Sequence, residues 1–146
     1  MGEIVNRNKL SAIINRDSKL PVIICNPQAN DERSISDASY KRLSLNLPLA
    51  EALISLPETE RPGKVQEIVF SLLPANEAIY LADYEMLFDH RYEINVMKLF
   101  CEISRRNRLV VKWCGRIVGP ILIFAEPGYS DYEQYRVRDY GIICVI

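Results

Sequence analysis

The chain has 146 residues, 49% of them hydrophobic and 25% charged, with a formal net charge of −1. That length suits one domain able to bury a core without disulfide staples, and interspersed charges of near-zero sum exclude a protein that coats nucleic acid by electrostatics alone. Four cysteines without paired spacing, no leader segment and no apolar run long enough to cross a bilayer are expected of a cytoplasmic chain in reducing surroundings, with no membrane contact.

No repeat or linker divides the sequence, so residues 1–146 are read as a single domain. The segment EIVNRNKLSAIINR (3–16) sets Ile4, Leu10, Ile13 and Ile14 near helical spacing, which predicts a first helix. A strand follows at Leu20–Cys25, then a polar loop. YKRLSLNL (40–47) alternates Leu43, Leu45 and Leu47 with polar residues, as a strand does, and Pro48 suits the first turn of a helix carrying Leu49, Leu53 and Ile54. PGKVQEIVFSLL (62–73) places Val65, Ile68, Val69, Leu72 and Leu73 on one helical face. AIYLAD (78–83) opens as a strand, and Asn95 is a plausible cap for a helix over 95–106 with Val96, Leu99, Phe100 and Ile103 in one stripe. RLVVKWCG (108–115), IVGPILIFAEPGY (117–129) and YGIICVI (140–146) each read as a strand. Apolar strands without alternation are usually covered on both faces, and strands alternating with helices predict a three-layer α/β domain around a mainly parallel sheet.

The stretch LPVIICNPQANDERSIS (20–36) carries the chemical question. A working phosphate loop reads G-x-x-x-x-G-K-[ST]: its glycines let backbone N–H groups reach the phosphates, its lysine meets their charge and its hydroxyl holds Mg²⁺. Here Asn26 to Arg33 fill that space without glycine or lysine, and Asp31 and Glu32 bring negative charge to the place of the anion. Arg33 and Ser34 alone resemble the Lys-[ST] pair. At the end of the 78–83 strand, Asp83 stands where P-loop enzymes hold Mg²⁺, with Glu85 as a candidate water-orienting base and Ala82 an alternative register for the acid. The competing reading is an aspartate leaving a strand for a turn. His90, the single histidine, has no serine or cysteine signature tied to it. Cys25, Cys114 and Cys144 fall near strand ends, but without a C-x₂-C pair they read as inert thiols, and no metal site is expected. Arg105, Arg106 and Arg108 read as a solvated helix end. Tyr129, Tyr132, Tyr135 and Tyr140 either stack bases, face a partner or pack an edge.

Four blocks in order resemble the BrxF family, the small P-loop-type component of type 3 BREX phage-defence systems. They are the strand and loop at 20–34, SLNLPLAEALISLPETERP (44–62), LADYEMLFD (81–89) with ISRRNRLVVKWCG (103–115), and FAEPGYSDYEQY (124–135). The resemblance implies a P-loop NTPase-like fold with strand order 5-1-4-3-2 and a role beside other proteins of a phage-defence complex, nucleic acid being engaged only indirectly. The degenerate loop makes this chain a pseudo-ATPase member, expected to hold no cofactor. Two alternatives stay open. One is a weak nucleotide binder or ATPase completed by a partner, taking ATP and Mg²⁺ through Arg33, Ser34 and Asp83; the other is a stand-alone protein- or nucleic-acid-binding module. The implied strand order would also gather Cys25, Cys114 and Cys144 at one edge of the sheet, with Cys101 apart.

Overall fold

Strands and helices alternate along residues 1–146, all of which the computed structural model describes. In chain order they are β1 (Glu3–Val5), α1 (Leu10–Ile14), β2 (Val22–Ile24), α2 (Ala29–Asp37), β3 (Lys41–Ser44), α3 (Asn46–Ile54) and α4 (Arg61–Leu72). There follow β4 (Ile79–Ala82), α5 (Val96–Ser104), β5 (Leu109–Lys112), β6 (Arg116–Val118), β7 (Ile121–Phe124), β8 (Glu133–Arg136) and β9 (Ile143–Val145). Six strands form one parallel sheet in the order β1-β9-β2-β5-β4-β3, and β6-β7-β8 form a small antiparallel sheet. The class is α/β, as the alternation of elements predicts.

The period of two within the central strands sorts their side chains to two faces. Val22 and Ile24 pack with Leu10, Ile13 and Ile14 of α1 and Ile35 of α2, whereas Ile23 and Cys25 join a larger core with α3, α4 and α5. The chain reverses its direction of travel across the sheet at β3, and its connections then pass to the other face. Both faces are therefore covered, which is why β2, β4 and β9 are buried at every position. No helix is long and apolar enough to cross a membrane.

Three local expectations are corrected. The segment 3–16 starts as a strand: the Glu3 amide donates to Ile142 and the Arg7 amide to Ile146, so β1 extends the sheet beside β9, and α-helix begins only at Leu10, after a 3-10 turn at Arg7–Lys9. The alternation at 40–47 ends early because the amides of Leu45 and Asn46 both donate to the Asp83 carbonyl, which turns the chain into α3. Leu47 and Ile54 are left 68% and 75% exposed there. Finally, 117–129 is not one strand of the main sheet. Gly119, at φ +56°, and Pro120 make a two-residue turn that pairs Val118 with Ile121, giving the hairpin β6–β7. Gly115 is required at its base, because a Cβ there would run into the Ile123 carbonyl.

Candidate functional site

The carboxyl ends of β2 and β4 carry the residues that could meet a nucleotide, since parallel α/β sheets bind ligands outside those ends. After β2 the connection is short. Residues 25–28 make the turn, with Asn26 in the left-handed region at φ +49°, and α2 is already under way at Ala29. The expected loop over 26–34 is thus corrected to four residues. A capping box sets the early start: the Asp31 carboxylate accepts from the Gln28 amide at 2.7 Å, and the Gln28 side chain accepts from the Asp31 amide.

Asp31 also forms an ion pair with the Arg7 Nε at 3.1 Å, in a geometry not aligned as a hydrogen bond. The same guanidinium donates through Nη2 to the carbonyls of Cys25 at 2.8 Å and Asn26 at 2.9 Å. The first helical turn after β2 is accordingly closed by the chain's own carboxylate, which is backed by the chain's own cation. A helix start that binds an anion has free amides and no negative charge. Arg7 was not singled out by sequence reasoning, because an ion pair between residues 7 and 31 leaves no local pattern.

Arg33 and Ser34 lie beyond that first turn, as the fifth and sixth residues of α2. Arg33 is exposed, and the Ser34 hydroxyl donates back to the Asn30 carbonyl at 3.0 Å. Asp83 follows β4 in the left-handed conformation, φ +51°, and accepts from the Ser44 hydroxyl at 2.7 Å, with an Arg42 nitrogen 4.0 Å away. Arg42 reaches Glu32 as well, at 3.4 Å, and so links Asp83 to α2. Ala82 is the buried last residue of β4, which leaves Asp83 as the acid on the rim. Glu85 accepts from the Asn46 side chain at 2.7 Å. The structure thus joins Asp83 to Glu32 through Arg42, ties Glu85 to Asn46 at the start of α3, and turns Ser34 back onto its own helix.

Among the thiols, Cys25 and Cys144 meet at 3.8 Å between their sulfurs. The Cys25 thiol is lowered, chiefly by the bond to Cys144 and then by Arg7 against the effect of burial, while Cys144 is raised by the same pairing. Cys114 is pushed up to about 12 by burial, and its amide donates to the Tyr84 hydroxyl at 3.2 Å. Cys101 stands apart, against the Gly141 carbonyl. All four are free. No group of three or more His, Cys, Asp and Glu side chains is arranged to hold a metal. The tyrosine run divides: Tyr135 is core, Tyr140 packs edge-on against it at 5.8 Å, and Tyr129 is exposed. No protein-family model, curated protein or solved structure matches this chain.

Proposed function

We propose that this chain is a P-loop-like scaffold or adaptor that binds partner proteins without turning over nucleotide. Its setting would be a cytoplasmic bacterial anti-phage complex of the kind that its resemblance to BrxF implies. One observation carries the reading: the helix start after β2 is occupied by Asp31, held by Gln28 and Arg7. Phosphate there would meet a fixed negative charge, with neither glycine nor lysine to offset it. Strand order supports the fold side of the proposal, since β9-β2-β5-β4-β3 numbered from β2 runs 5-1-4-3-2, with β1 added outside β9.

Titration calorimetry with ATP and Mg²⁺ is expected to give no binding. A dissociation constant at or below about 10 μM, a free energy of roughly 7 kcal/mol, would overturn the pseudo-enzyme reading. The setting is tested separately by neighbouring genes. A methyltransferase, a large ATPase and an alkaline-phosphatase-like protein encoded alongside are expected, and their absence would remove the defence assignment.

A further inference from the structure

Cys25 and Cys144 meet across β2 and β9 with their sulfurs 3.8 Å apart, and both are free. They are 119 positions apart in the chain, and only the pairing of β9 beside β2 makes them neighbours. The other two cysteines have different company. Cys101 lies against the Gly141 carbonyl, and the Cys114 amide meets the Tyr84 hydroxyl.

Two features set this pair apart from ordinary core packing. The first is register. Cys144 has Ile23 as its Cα partner, so Cys25 stands two residues further along, on the same face of the sheet. Strand spacing and rise make that diagonal roughly 8 Å, longer than a relaxed disulfide spans. A bond between the sulfurs therefore has to draw Cys25 toward β9. Cys25 is placed to move, because β2 ends at Ile24 and Asn26, at φ +49°, already turns the chain out of the sheet. Strained disulfides are the easily reduced ones, which suits a reversible link better than a permanent staple. The second feature is asymmetry. The bond to Cys144, and then the charge of Arg7, hold the Cys25 thiol below the usual range against the effect of burial, whereas Cys144 is raised. One sulfur is thus suited to attack and the other to resolve.

We propose that Cys25 and Cys144 are a reversible dithiol–disulfide pair, closed by hydrogen peroxide and opened by a dithiol reductant. Only the first thiol has to meet the oxidant. Cys25 keeps 7% exposure at the end of its strand, while Cys144 has none. The Cys25 sulfur attacks one peroxide oxygen, the O–O bond breaks, and the departing hydroxide leaves as water with the Cys25 proton. The Cys144 sulfur then attacks the sulfenic sulfur of Cys25, the S–O bond breaks, and a second water carries off the Cys144 proton. Two thiols have lost two electrons, and one hydrogen peroxide has become two waters. A dithiol reductant reverses the link through a mixed disulfide, becoming a disulfide itself and returning both protons. The Cys25 carbonyl accepts from Arg7, and Arg7 pairs with Asp31, so the displacement of Cys25 reaches the start of α2.

The test is oxidation of the native, reduced protein with about a tenfold excess of hydrogen peroxide, followed by alkylation in denaturant and peptide mass mapping. The expected product joins the peptides of Cys25 and Cys144, is about 2 Da lighter than the two reduced peptides together, and reverts with dithiothreitol. In ¹⁵N spectra the amides of Asn26, Gln28 and Asp31 are expected to shift on oxidation and return on reduction. Cys144→Ala is expected to leave Cys25 trappable by dimedone as a sulfenic acid, whereas Cys25→Ala leaves Cys144 reduced. Both thiols still free once Cys101 is fully oxidised, or a link that forms only in denaturant, overturns the pair. Mapping on the unaltered chain decides this whether or not a variant folds. A link without shifts at residues 26–31 overturns the coupling to α2, and trapping of Cys144 instead of Cys25 overturns the order of attack. None of these results involves nucleotide or a partner, so this inference and the scaffold reading fail separately.

Discussion

Asp31, 7% exposed, does several jobs with one carboxylate: it accepts the Gln28 amide, offsets the positive end of α2 and neutralises Arg7. Asp31→Ala therefore removes a helix cap and leaves a half-buried guanidinium without its counter-charge. The expected loss is about 1–2 kcal/mol, read from the midpoint of urea unfolding. An unchanged midpoint would show that the capping box contributes nothing. The same substitution is not expected to create ATP binding, because the glycines and lysine are still missing. Arg7 illustrates a limit of reading one sequence. Its partners at 25, 26 and 31 are brought to it by pairing of β1 with β9, and no spacing in 3–16 announces that.

Among the elements, α5 is the plainest case of pattern becoming structure. Asn95 caps it by accepting from the Lys98 amide at 3.1 Å, and Val96, Leu99, Phe100 and Ile103 are all buried. Phe100 meets Tyr84 edge-on at 5.2 Å. Phe100→Ala is expected to cost about 3–5 kcal/mol, enough to unfold a domain of ordinary stability, and a thermal melt would show it. A melting temperature like that of the parent would place the stripe outside the core. The same kind of signal made β2, β5 and β9 legible, since runs such as VII and LVV have one physical home, the middle of a covered sheet. It failed where elements are short or half-wet. Three-residue β1 has no period to detect, with Ile4 partly exposed at an edge, and the hairpin β6–β7 hides in a run whose only break is Gly119-Pro120. For the candidate site, the lost lysine and glycines and the acids Asp31 and Glu32 were legible in 20–36. The contacts made by those acids, to Arg7 and Arg42, needed the fold.

At the scale of the whole molecule, β9 is a wedge: it donates and accepts along β1 on one side and β2 on the other, pairing Cys144 with both Ile4 and Ile23. Removing residues 143–146 is expected to abolish cooperative unfolding, because β1 loses its sole neighbour, β2 loses one of two, and both cores lose side chains. Circular dichroism through a denaturant series checks this, and a sharp single transition in the shortened chain would refute it. The position of β9 also sets an order in time. A ribosome delivers β1 and β2 within the first 25 residues and the strand that joins them only after residue 142. Until then β1 and β2 each keep an edge that only β9 can close, and such edges are what nascent chains aggregate through. Closure across so long a stretch of chain makes the joining slow compared with helix formation, so the growing protein has most need of a covering chaperone until β9 has emerged.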